Sequence, residues 1–260
     1  MVLNLSADKW DTMELFLIIF IAFFIAVLFS LLGLGGAIIY TPLFYWSGLD
    51  LLTAIPMALF LNMITTASAS ITYLKQRMVD TGIALPIILA SLPGAYMGSK
   101  LARMIDMELL ILLLSISILF AGIRILFFEI KGMSVISAKK RVLAGAFAGF
   151  VISTVSSLVG IGGGTFIMPL LLVFGIETKK AVGTSALIVT FISLSGFLSH
   201  MSLGGQQIKI SILIFAGIAA FAGAQAGSRL IFRRTSPRTI ERLFALVLLL
   251  VGGMLLYGLF

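Results

Sequence analysis

Gly33-Leu34-Gly35-Gly36 and Gly160-Ile161-Gly162-Gly163-Gly164 are the two stretches whose comparison decides the fold. Each is followed by a proline (Pro42, Pro169), then by a glycine (Gly48, Gly175), then by an acidic residue (Asp50, Glu177). Matched residues lie 127 positions apart, and the match runs on through Ala54 with Ala181 and Ser68 with Ser195. It returns at a spacing of 129 in Gly94-Ala95-x-x-Gly98-Ser99-Lys100-Leu101 against Gly223-Ala224-x-x-Gly227-Ser228-Arg229-Leu230. The chain is one unit of about half its length, written twice.

Composition sets the solvent. Hydrophobic residues make up 60% of the 260 positions and charged residues 11%, far too apolar for a soluble protein to enclose. The pattern predicts an all-α polytopic membrane protein. Runs able to cross a hydrocarbon core of roughly 30 Å occupy about 13–32, 51–74, 81–101, 108–128, 142–160, 181–203, 207–232 and 239–260. Two shorter apolar pieces, about 37–48 and 164–175, directly follow the glycine clusters. The net charge of +8 does not point to nucleic acid, because the basic residues sit in short loops rather than in stripes with exposed aromatics. With no cysteine there is no disulfide framework and no thiol nucleophile. Asp8, Lys9 and Asp11 stand where a secretory peptide would be basic, so the first apolar run is expected to remain in the mature protein.

Counting charges decides the number of segments. If each short piece adds a change of direction, each repeat holds five segments, and fourteen of the 18 Lys and Arg fall on one face. The other face then holds only Lys9, Lys100, Arg103 and Lys209. With four crossings per repeat the split is even. The positive-inside rule selects five, and an odd number turns the second repeat upside down relative to the first, the inverted-repeat plan of many secondary transporters. The expected organisation is repeat one at 1–130, a cytoplasmic linker at 131–141 and inverted repeat two at 142–260, with both termini outside the cytoplasm. Ala37 to Ser47 spans only about 16 Å as a helix. This favours helical hairpins whose glycine tips approach the midplane, where broken backbone is tolerated only inside protein or against a polar cavity.

Glycines at a turn that opens a helix leave backbone N–H groups accessible, and the helix terminus adds partial positive charge. Gly33, Gly35 and Gly36 in one repeat, and Gly160, Gly162, Gly163 and Gly164 in the other, are therefore candidate contacts for an anion. Close helix packing is the competing account of the same residues. Thr184 and Ser185, a few residues into their segment, can donate hydroxyls, and repeat one offers Asn62 and Thr66 further along the matching segment. His200, the lone histidine, reads as an interfacial residue, Arg124 as a snorkelling one, and Gln225 as a possible cavity residue. Gly94, Gly98, Gly223 and Gly227 read as packing positions. The apolar runs carry no central Asp or Glu to serve a cation site or proton relay, and no metal or P-loop motif occurs. Neither an enzyme nor a cofactor is indicated.

The glycine cluster, the following proline, Ala181-Val182-Gly183-Thr184-Ser185 and the duplicated small-residue segment resemble the sulfite exporter TauE/SafE family. The likeness covers nearly the whole chain after residue 13 and is best in repeat two. It departs at Ala37, where a third glycine is expected, and at Pro56-Met57-Ala58, where the Gly-Thr-Ser form is expected. The resemblance implies a membrane permease for a small anionic solute: sulfite, a sulfonate or sulfoacetate. A coupling ion, proton or sodium, is left open, and the lipid bilayer is the other partner. Transport of another small organic anion, a channel, or a non-transporting membrane assembly factor are the rival readings.

The topology is directly testable, since single cysteines meet no background. Cysteine at Ser236 should be shielded from an impermeant thiol reagent in intact cells, while cysteine at Gly204 should react; the reverse pattern would sink the inverted arrangement.

Overall fold

The computed structural model of the chain describes residues 12–127, 138–204, 208, 210–230 and 237–258. Most of the linker, Gln206, Gln207 and Ser236 fall outside them, as does the side chain of Arg124. The described residues form ten helices: α1 (Thr12–Leu32), α2 (Ala37–Trp46), α3 (Leu51–Lys75), α4 (Thr81–Leu101), α5 (Met107–Phe127), α6 (Ala138–Val159), α7 (Gly164–Val173), α8 (Thr178–Leu203), α9 (Ile210–Leu230) and α10 (Pro237–Tyr257). No strand occurs among them. Each half therefore reads long, short, long, long, long. Helices α3, α4, α6, α8 and α9 are long and apolar enough to cross a membrane by length and composition. A 21-residue helix such as α1 or α5 spans about 31 Å, close to the thickness of the hydrocarbon core.

The breaks between long and short helices are built by backbone that only glycine adopts at little cost. Gly33 and Gly35 have φ of 66° and 73°, and Gly160 and Gly162 both have 76°, inside the left-handed region where a side chain is strained. Elsewhere the loops use ordinary caps. Asp50 accepts from the Thr53 amide at 2.9 Å to open α3, and Asp80 accepts from Gly82 and Ile83 to open α4.

Helix packing follows the duplication but interleaves the halves. Helices α3 and α8, the most enclosed, pack on one another, and α5 packs on α10. Helix α1 lies on α9, and its counterpart α6 lies on α4. Each repeat thus lends its first helix to the fourth helix of the other repeat. Small residues make these contacts possible. A methyl group added to Gly94 or Gly98 would meet the carbonyl oxygens of Phe150 or Thr154 on α6, and one added to Gly223 or Gly227 would meet those of Phe23 or Val27 on α1. The four carbonyls are themselves 127 residues apart in pairs. Such close backbone approach is how helices gain contact in lipid, where burial of apolar surface drives nothing.

The polarity is that of a membrane protein. Phe20, Leu85, Phe147, Ile218 and Leu250 point outward with more than half of their surface exposed. The buried polar side chains are Ser, Thr, Asn and His, and no Asp, Glu, Lys or Arg is among the buried residues described.

These contacts set an expectation for stability. Gly98→Ala should destabilise the detergent-solubilised protein by about 1–3 kcal/mol through overpacking. Gly253→Ala, where nothing lies within 4 Å, should be neutral or mildly stabilising; thermal unfolding of the two variants side by side gives the answer.

Candidate functional site

Near the middle of α3, the fully buried Asn62 forms the polar centre of the molecule. Its Oδ1 accepts from the amides of Gly36 at 2.5 Å and Ala37 at 2.8 Å, which open α2. Its Nδ2 donates to Ser193 Oγ on α8 at 2.6 Å. The same carboxamide lies against Gly35 on one side and Gly162 on the other, and a methyl group on either glycine would collide with it. One side chain therefore touches both glycine turns and caps one short helix from outside.

The turns also support each other. Gly164 packs so tightly on the Leu34 carbonyl that a side chain has no room. The Gly160 carbonyl accepts from Thr41 Oγ1 at 2.5 Å, and the Gly33 carbonyl accepts from Ser185 Oγ at 3.0 Å. One helical turn beyond Asn62, Thr66 donates to the Asn62 carbonyl at 2.8 Å and accepts from Thr190 Oγ1 at 3.0 Å. The fold thus gathers Gly33, Gly35, Gly36, Asn62, Thr66, Gly160, Gly162, Gly164 and Ser185 around the two turns. Gly163 caps the start of α7. Thr184 stands apart, its Oγ1 accepting from the Asp80 amide at 2.9 Å at the loop between α3 and α4.

Both departures from the family pattern now have a physical reason. Repeat two needs its third glycine, Gly164, because the Leu34 carbonyl lies against it, while the Ala37 methyl fits beside Gly162. Where repeat two uses Ser185 to satisfy a turn carbonyl, repeat one has Ala58, and Thr41 supplies the hydroxyl instead. Sequence reasoning missed Ser193, Thr190 and Thr41. Ser193 lies 127 residues after Thr66, so carrying the offset through the polar positions would have found it.

Other singled-out residues prove to hold helices together. His200 is enclosed within the protein: its ring is fully buried, with Nε2 2.8 Å from the Ser157 carbonyl oxygen. Its counterpart Tyr73 donates to the Ser30 carbonyl at 2.5 Å, and Ser30 and Ser157 are again 127 apart. The two side chains tie the ends of α3 and α8 to α1 and α6, which is why His200 is enclosed near a helix end. The end of α8 is closed further by Arg103, whose guanidinium donates to the carbonyls of His200, Leu203 and Gly204. Gln225 does not stand free in a cavity, since its Nε2 donates to the Ser68 carbonyl at 2.8 Å and joins α9 to α3.

An apolar outer surface, ten helices and an uncharged polar centre where two broken helices meet define a multi-pass membrane protein of the transporter class. The chain belongs to the sulfite exporter TauE/SafE family, whose model matches residues 18–255. It is 26% identical over 255 residues to the probable membrane transporter protein YunE of Bacillus subtilis (strain 168), covering 88% of this chain and 92% of that one. A probable membrane transporter protein of Methanocaldococcus jannaschii is 23% identical over 257 residues, covering 91% of this chain and 93% of its own. A further Bacillus subtilis relative, the probable membrane transporter protein YdhB, is 38% identical over 82 residues, or 30% of this chain and 34% of that one. No solved structure matches the chain significantly.

The Asn62 contacts predict a coupled pair. Asn62→Ala leaves two buried amides without an acceptor and should cost about 1–3 kcal/mol. In a double-mutant cycle with Ser193→Ala, melting of the purified protein should show coupling of about 0.5–1.5 kcal/mol between the two positions.

Proposed function

We infer that this chain is a secondary transporter of small sulfur-containing anions, of the sulfite, sulfonate or sulfoacetate class, working by alternating access between two inverted five-helix halves. The observation that carries this reading is the meeting of two glycine turns, one from each half, at a buried polar centre without charge of its own. Short helices start at those turns, and helix N-termini favour anions through their amides and their dipole. The family description names sulfite, which agrees with a site of neutral hydrogen-bond donors. The substrate would meet the glycine turns, with Asn62, Thr66 and Ser185 holding them in shape and Thr184 reaching the anion as the halves move.

The bias of Lys and Arg to one face supports residence in the cell membrane, the inner one where there are two, with both termini outside the cytoplasm. No intramembrane carboxylate is evident in the apolar runs, so a sodium or proton gradient would have to act through neutral groups.

Purified protein in proteoliposomes tests the reading. Uptake of labelled sulfite or sulfoacetate should saturate, show counterflow and respond to an imposed gradient. Methanesulfonamide, a neutral isostere of a sulfonate, should compete at least about tenfold more weakly than methanesulfonate, as expected if charge-assisted hydrogen bonds carry recognition. Flux without saturation or counterflow would mean a channel, and no flux with any of these solutes would favour an assembly factor.

A further inference from the structure

The two short helices begin alike in sequence and differ in how their first amides are satisfied. In repeat one, the amides of Gly36 and Ala37 are held by the Asn62 carboxamide, and the Tyr40 ring fills the space beside Gly36, 2.6 Å from where a methyl group would sit. Moving 127 residues on, Asn62 becomes Val189 and Tyr40 becomes Ile167. Valine has no acceptor to offer. Among the described residues, no side chain hydrogen-bonds to the amides that open α7.

Two hydroxyls belong to the residues around that helix start. Among the described residues, the hydroxyls of Ser156, Thr165 and Ser157 are buried and make no hydrogen bond; Ser156 and Thr165, 0% and 4% exposed, flank the start of α7, while Ser157 Oγ lies against Gly196 on α8. Leaving such groups without a partner is costly, so native proteins rarely do it without a purpose. Ser156 Oγ lies 3.0 Å from the position a Gly163 methyl group would take, and the only other atoms within 4 Å of that position that rank among the nearest are from Ile152 and Ile192, both at 3.4 Å. Thr165 is the second residue of α7. The counterparts of Ser156 and Thr165 in repeat one are Phe29 and Ile38. Polar groups without partners thus accompany the helix that lacks its cap, and apolar ones accompany the helix that has it.

We propose that the transporter binds one anion per chain, at the N-terminus of α7, and that Asn62 is a built-in substitute for the anion at the corresponding end of α2. The oxygens of the ligand accept from the amides at the start of α7 and from Ser156 Oγ and Thr165 Oγ1, and Ile152 and Ile192 face its non-oxygen side. The half-charge of a helix N-terminus offsets a single negative charge better than a double one, and no buried cation is described to help. The ligand class is therefore a monoanionic oxyanion carrying a small apolar group, such as a short alkyl sulfonate, in preference to a dianion such as sulfate. This rests on the transport reading above and narrows it from two symmetric turns to one.

The test is calorimetric titration of the purified full-length protein with methanesulfonate, with sulfate as the dianion control and melting of the ligand-free protein recorded for each variant. One methanesulfonate per chain is expected, bound at least about tenfold more tightly than sulfate. Ser156→Ala and Thr165→Val should each weaken it about tenfold while leaving the ligand-free melting temperature equal or higher, because each removes a buried hydroxyl that has no partner. Val189→Asn, which copies the cap of repeat one, should abolish methanesulfonate binding and raise that melting temperature. Two ligands per chain, sulfate bound as tightly as methanesulfonate, or parent affinity in both hydroxyl variants would each overturn the single-site proposal while leaving anion transport standing. A parent protein that binds neither methanesulfonate nor sulfite overturns the transport reading and this proposal together.

Discussion

A helix that stops inside an apolar molecule exposes amides that nothing in hydrocarbon can satisfy, and each one left alone costs several kcal/mol. The Asn62 carboxamide resolves this for α2 by accepting from Gly36 and Ala37, and the rest of the centre is arranged around that contact. Its other end reaches Ser193 on α8, so the same side chain that makes the break in one half possible ties that half to the other. Glycine is required at positions 35 and 162 because the carboxamide fills the space where a side chain would be.

The interleaving of the halves fixes each first helix in place. Helix α1 packs on α9 and α6 on α4 through glycines pressed against backbone carbonyls, contacts that leave little freedom to slide. Each repeat's first helix is therefore held to the other repeat's fourth: α1 to α9, and α6 to α4. The contact of α3 with α8 joins these two pairs, since α3 also packs on α9 and α8 on α4.

Departures from internal symmetry carry as much information as the symmetry. Tyr73 and His200 perform the same task on Ser30 and Ser157, so a unique histidine turned out to be one of two equivalent ties. Thr41 and Ser185 satisfy corresponding carbonyls from different helices, because the fold requires a donor at that point and not a particular residue. Asn62 against Val189 has no such compensation, and there the two repeats differ in chemistry.

Composition, the 127-residue offset and the placement of Lys and Arg determined by themselves that the chain is a polytopic all-α membrane protein with two broken helices, because hydrophobic length and backbone conformation at glycine are local properties. Ser193 was within reach of the same offset. Whether a polar group is free or occupied was not legible, since it depends on a partner distant in the chain: Asn62 meets Ser193 across 131 positions and Thr184 meets Asp80 across 104. Thr184 looked like Ser185 in sequence, yet its hydroxyl meets the Asp80 amide at a loop, whereas the hydroxyls of Ser156, Ser157 and Thr165, which sequence reasoning did not single out, have no partner among the described residues. Only the packed structure decides this, because hydrogen-bond satisfaction belongs to the spatial neighbours that burial assigns and not to the residue or its place along the helix.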